Sequence, residues 1–257
     1  MRSIIITGAS SGIGAALARR AASSGWAVLM VARRADRLHA LAQELSERGG
    51  SVDVLAADVL EKEAPHAIVE RAVHAFGRID VVVNNAGAAH AAALLDEPDE
   101  QIERQWQLHV GAPLRIAREA LAFVERTRGG LVFFGSGLAR VPAPGYGAYA
   151  PAKAAIRAAA IQLRRELRAR EVFVTYVDPG VVDTEFSRAS GMEERPAAWH
   201  AKPHAVAAAI LHGIERRASR VNAVPWQTAV TVLGEWLPAI ADRAMASFVT
   251  PPKKEPS

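Results

Sequence analysis

Cysteine is absent from the 257-residue chain. That excludes disulfide staples, thiol nucleophiles and cysteine-built metal sites together, and it accords with a reducing compartment. Long apolar runs are missing as well. No stretch of about eighteen apolar residues is free of charge, and the nearest approach, positions 221 to 241, is interrupted by Pro225, Glu235 and Pro238. Stable membrane insertion is therefore not expected. Met1 and Arg2 run straight into an apolar strand, so a removable leader would take that strand with it. A soluble, cytoplasmic protein is the expectation, with no metal centre. Excess charge of one sign is also small: 31 Lys and Arg stand against 27 Asp and Glu. The basic residues are interleaved with acidic ones, as in Arg164-Arg165-Glu166-Leu167-Arg168. That is the pattern of a solvated helix face, and no nucleic-acid partner is expected.

What the chain does have is apolar substance, half of its residues by count, arranged as short β-type runs alternating with longer helical ones. Strands are predicted at 3–7, 27–32, 51–56, 79–84, 131–135, 172–178 and 221–224. Most are almost continuously apolar, as strands covered on both faces must be. Helical patterns lie between them at 15–24, 35–48, 64–76, 100–126 and 149–170. Repeated β-α-β units of this kind predict an α/β fold with a parallel sheet and helices on both faces. No repeat or linker divides the chain, so 1–249 reads as one domain. The Pro- and charge-rich tail 250–257 is expected to be disordered.

Directly after the first strand comes Thr7-Gly8-Ala9-Ser10-Ser11-Gly12-Ile13-Gly14, and then a helix. A tight strand-to-helix turn with few side chains brings backbone N–H groups and a helix N-terminus against a pyrophosphate. The second strand ends in Ala32-Arg33-Arg34. A carboxylate near that place would receive the ribose hydroxyls of NAD. Two guanidinium groups suit the 2′-phosphate of NADP(H) instead. Tyr149 and Lys153, four residues apart on a predicted helix, share one face. An ammonium beside a phenol is expected to lower its pKa from near 10 toward a usable acid or base. Ser136, at the end of the fifth strand, is a candidate hydrogen-bond partner for a substrate oxygen.

In chain order the sequence carries TGASSGIG, Asp58-Val59, Asn84-Asn85-Ala86-Gly87, Ser136, Tyr149-Ala150-Pro151-Ala152-Lys153 and Pro179-Gly180-Val181-Val182-Asp183-Thr184. It resembles the short-chain dehydrogenase/reductase family, strongly from Ser3 to about Phe186 and more loosely to Val224. The resemblance implies a Rossmann-type doubly wound sheet of about seven strands in the order 3-2-1-4-5-6-7. It also implies hydride transfer between a nicotinamide and a carbonyl or alcohol, with Tyr149 as the proton carrier and Lys153 on the nicotinamide ribose. Asp58 and Val59 would meet the adenine, and Asn85, Ala86 and Gly87 would line the cleft. Pro179, Gly180, Val182 and Thr184 would border the cofactor, Thr184 holding the carboxamide. A homodimer or homotetramer is the family's usual assembly.

One position departs from the family. Its usual Asn, which holds a water on the proton path from the lysine, is replaced by His109 in His109-Val110-Gly111-Ala112-Pro113. Either His109 takes over that water, with an acid limb expected near the ordinary histidine pKa of about 6.5, or it only fills a helix position. The lid over the substrate is expected at 186–201, with Met192 and Trp199. The apolar segment 221–249, with Trp226, Leu233, Trp236 and Leu237, is expected to help close a pocket for a fairly bulky apolar carbonyl compound. Two other readings stand beside the enzyme. One is an NADP-binding regulator without turnover, the other a membrane-surface protein using 221–249. The intact Ser136, Tyr149 and Lys153 oppose the first, and the lack of a basic amphipathic stripe opposes the second.

Overall fold

The computed structural model describes residues 1–186 and 197–246; Met192, most of the expected lid and the tail 250–257 lie outside them. Seven parallel strands form one sheet in the order 3-2-1-4-5-6-7. They are β1 (Ser3–Thr7), β2 (Ala27–Ala32), β3 (Val52–Ala56), β4 (Val81–Asn84), β5 (Gly130–Phe134), β6 (Phe173–Asp178) and β7 (Arg220–Asn222). The helices are α1 (Gly12–Ser23), α2 (Ala35–Glu47), α3 (Ala64–Phe76), α4 (Asp99–Trp106), α5 (Ala112–Arg126), α6 (Tyr149–Glu166), α7 (Pro203–Glu215), α8 (Pro225–Trp236) and α9 (Pro238–Ala246).

The apolar runs of the strands are explained by burial on both faces. Ile4 and Ile6 of β1, with Val28 and Met30 of β2, pack under Leu17 and Ala18 of α1 and Ile210 and Leu211 of α7. The alternate residues Ile5, Leu29 and Val31 face the other way, with Ile68 of α3, Ile116 of α5 and Ile156 of α6. Side chains alternate across a strand, so one apolar run serves two cores. Burying each such Ile or Leu stabilises by about 1.5–3 kcal/mol. β1 pairs with β2 on one side and β4 on the other. The chain therefore reverses its winding there, and the crevice beyond the ends of these strands is where such folds bind ligands.

One expectation needs correction. The predicted helix 100–126 is two helices, α4 and α5, joined by a single π-helical turn, Gln107–Gly111. Pro113 has no N–H to give and crowds the preceding turn, so a continuous α-helix through it is disfavoured. The turn widens instead, and Pro113 begins α5. In the described part of the segment 221–249 the chain forms β7 and then two helices, α8 and α9. Pro225 and Pro238 each open a helix, where a missing N–H costs nothing. Val230, Leu233, Trp236 and Ile240 stand exposed. Among the described residues no helix is long and apolar enough to cross a membrane.

Candidate active site

The glycine loop leaves β1 and enters α1 with Gly8 and Gly12 at positive φ, conformations that L side chains rarely adopt. A Cβ on Gly14 would stand 2.3 Å from the Gly8 carbonyl oxygen; only glycine permits this approach of helix to strand. Asn85 holds the loop, its Nδ2 donating to the carbonyls of Thr7 at 2.8 Å and Gly8 at 3.2 Å. The Thr7 hydroxyl accepts from the N–H groups of Asn85 and Ala86. The start of α1 has no side-chain cap and no acidic residue in its first turn. That helix terminus, with its partial positive charge, fits a nucleotide's phosphates.

The two arginines after β2 part company. Arg34 is largely engaged: its guanidinium donates to the hydroxyls of Ser10 and Ser11, the shortest contact 2.8 Å, and to Glu185 Oε2 at 2.8 Å. Arg33 is mostly exposed, and among the described residues its one ionic neighbour is Asp58 at 3.8 Å. Arg33 is thus the cation with donors to spare for a phosphate, and Arg34 braces the glycine loop. Asp58 caps its own turn, accepting from Leu60 N–H at 3.0 Å, and Val59 is buried.

Ser136, Tyr149 and Lys153 converge, because β5 ends beside the start of α6. The Tyr149 side chain lies beside that of Ser136, whose Oγ accepts from Leu138 N–H at 3.2 Å. Lys153 Nζ lies 5.6 Å from the Tyr149 ring centre and donates to the Phe134 carbonyl at 2.8 Å. Both side chains are buried. Here the expected electrostatics are overturned. Burial raises the Tyr149 phenol well above its ordinary range, and the neighbouring Ser136 offsets only part of the rise. The same burial pushes the Lys153 ammonium down to about 7. Desolvation dominates both shifts, so in the free protein the phenol is neutral and the lysine stands near the balance of amine and ammonium.

His109 lies in the π turn, buried, its ring edge-on to Tyr149 at 5.0 Å. Its Nε2 is 2.7 Å from the Ala88 carbonyl oxygen, an acceptor, so Nε2 carries the proton. Nδ1 is then a bare acceptor, buried and, among the described residues, without a hydrogen-bond partner. Burial, and next the charge of Lys153, hold the imidazole well below its usual pKa. An acid limb from His109 near 6.5 is therefore not to be expected. Gly87 makes room for this ring: a Cβ there would meet His109 Cε1 at 3.0 Å.

The segment after β6 passes back over the crevice. Gly180 takes φ +70°, and Val182 pairs with Ala201 in an isolated parallel bridge. Thr184 packs against Gly12, and Phe186 lies 5.8 Å from the Tyr149 ring. Residues that the sequence reading missed fasten this region. Gln227 of α8 accepts from Val181 N–H at 2.7 Å and donates to the Trp199 carbonyl at 2.6 Å, while Trp226 packs edge-on against Trp199. Glu97, buried, accepts from Ala148 N–H at 2.6 Å and so holds the start of α6. Glu235 pairs with Arg140, four residues after Ser136, and Arg157, four after Lys153. Nothing local in the sequence marks these partners.

The family model for short chain dehydrogenases matches residues 2–195. The chain belongs to the short-chain dehydrogenase/reductase family. Among curated members, a short chain dehydrogenase of Pseudocercospora fijiensis is 38% identical over 188 residues, covering 72% of this chain and 60% of that one. The chain thus matches less than two thirds of that relative's length. The serine 3-dehydrogenase of Agrobacterium fabrum is 36% identical over 198 residues, 74% of this chain and 77% of that one. Among solved family members, an alcohol dehydrogenase of Thermococcus sibiricus, complexed with 5-hydroxy-NADP, superposes with a TM-score of 0.78. It is 30% identical, over 86% of this chain and 94% of that one.

Proposed function

We propose that this short-chain dehydrogenase/reductase is an NADP(H)-dependent oxidoreductase acting on a carbonyl group or the corresponding secondary alcohol. The observation that carries the reading is the convergence of Ser136 on the buried Tyr149, with the Lys153 amine one helical turn away and the glycine loop at the same end of the sheet. The bound nicotinamide supplies or accepts the hydride, two electrons and a proton's nucleus on the carbonyl carbon. The protein manages the other proton. In reduction Tyr149 gives its hydroxyl proton to the substrate oxygen, and Ser136 donates a second hydrogen bond as negative charge gathers there. Lys153, at about 7, is balanced between amine and ammonium, so it both favours the phenolate left behind and resupplies its proton. His109 Nδ1 is an acceptor for a water on the way to Lys153.

The choice of NADP(H) rests on Arg33, exposed at the end of β2 where NAD-binding chains present a carboxylate. A bulky, largely apolar substrate accords with Phe186 and Tyr146 flanking Tyr149 and with Trp199 against Trp226. The test is Tyr149→Phe, assayed for NADPH oxidation on a panel of ketones and aldehydes. Turnover should fall by several orders of magnitude, with NADPH binding retained. A tenth of the wild-type rate remaining would refute the assignment.

A further inference from the structure

Glu185 crosses the cofactor crevice. Its Oε2 accepts from Arg34 at 2.8 Å and its Oε1 from Arg37 at 2.5 Å, both in the first turn region of α2 beside the glycine loop. The two partners lie about 150 residues earlier in the chain. The contact is therefore one the fold makes between the loop after β6 and the end of β2. Its chemistry is that of an anion on a pair of guanidinium groups, the same chemistry a nucleotide phosphate would use there. Glu185 also has telling neighbours. Thr184 touches Gly12, and Phe186 lies against the catalytic Tyr149. Three consecutive residues thus meet the glycine loop, the arginines and the proton donor.

We propose that Glu185 is a latch on the cofactor site, its carboxylate competing with the 2′-phosphate of the arriving nucleotide for Arg34 and Arg37. The inference rests on the NADP(H) reading above. Only a nucleotide bearing a 2′-phosphate exchanges one anion for another at these arginines. One lacking it leaves the latch closed and Phe186 held over Tyr149. Glu185 is then a determinant of cofactor choice that acts by competition, whereas Arg33 acts by attraction. The carboxylate remains charged at any working pH, since the two arginines hold its pKa down to about 2.

The experiment measures binding without turnover: calorimetric titration of wild type, Glu185→Gln and Glu185→Ala with adenosine 2′,5′-bisphosphate and with 5′-AMP. Both contacts are at the surface, so each is individually weak. Their removal should tighten the bisphosphate by about three- to tenfold and change AMP by less than about twofold. Bisphosphate binding that is unchanged or weaker in both variants overturns the latch. Equal tightening of both ligands also overturns it, since Glu185 would then repel any nucleotide. A wild type that binds the two ligands equally well removes the NADP(H) reading and the latch together. A selective wild type with unaltered variants removes the latch alone.

Discussion

Lys153 should be a source of instability in the free protein. Burial lowers its pKa from 10.5 to about 7, and one pKa unit corresponds to about 1.4 kcal/mol. The unfolded chain holds the proton up to about 10.5 and the folded chain only up to about 7. Between those values the unfolded state binds more protons, so stability rises with pH across this window. The burden is full below about 7, near 4–5 kcal/mol by this reckoning, and nearly gone by pH 10.5. Lys153→Met keeps an unbranched side chain of similar length and removes the charge. It also leaves the Phe134 carbonyl, now 2.8 Å from Nζ, without its donor, which returns about 1 kcal/mol. The variant should therefore be inactive yet about 2–4 kcal/mol more stable at pH 7. For a domain of this size that is roughly 5–15 °C in Tm. Near pH 10 the two proteins should unfold alike. The assay is denaturant and thermal unfolding of both proteins without nucleotide at pH 7, 8.5 and 10. A variant that is less stable at pH 7, with the same pH slope as wild type, would refute the argument: Lys153 would then be charged and well solvated where it sits.

Three further outcomes are expected. Arg33→Ala should weaken NADPH by roughly tenfold to a hundredfold, with little effect on NADH. Arg34→Ala should weaken both by loosening Ser10 and Ser11, NADPH the more because the 2′-phosphate also takes Arg34 from Glu185, and binding titrations with the two cofactors separate the cases. His109→Asn should keep most of kcat and His109→Ala should lose more, while wild type shows no His109 limb near pH 6.5 because the ring stays neutral well below that value; a limb there that disappears in His109→Asn would mean solvent protons reach the ring. Gln227→Ala cuts both ties between α8 and the loops around Val181 and Trp199, so KM for the carbonyl substrate should rise more than kcat falls, and equal KM values in steady-state assays would refute that role.

What the sequence made legible were the features written next to a strand end. Each of the glycine loop, Asn85 and Ser136 follows an apolar run directly, and parallel winding carries all of them to one edge. Periodicity said less where two elements compete for the same residues. Pro113 was a sign of a break within 100–126, but the apolar face runs through it and hides the change of register. The spacing of Tyr149 and Lys153 gave their shared face and not their surroundings. Proximity suggested a lowered phenol pKa, and burial, which no short window reveals, reverses it. Arg34 and Arg33 are adjacent and alike in sequence, and only the fold decides that one braces a loop and the other meets solvent. Glu185, Gln227 and Glu97 escaped notice because their partners are distant in the chain. The apolar residues of α8 and α9 likewise say nothing of which neighbour they face, and several face none among the described residues.

The π turn at Gln107–Gly111 has a bearing on how this chain can change its length. Such a turn holds one residue more than an α-helical path would need, so it works as a phase shifter between two faces. Upstream, the helix is set by Gln105, buried under the fold; downstream, it is set by Ile116, Ala120 and Val124, which lie in the core. Deleting one residue from the turn would leave α5 seated as it is, whereas closing the turn to the ordinary repeat with every residue kept would rotate everything beyond it by about 100°. His109 and Ile116 could not then both point inward. The histidine beside Tyr149 and the seating of α5 on the sheet are thus tied to the same single surplus residue, and an ordinary repeat through all the residues would keep only one of them.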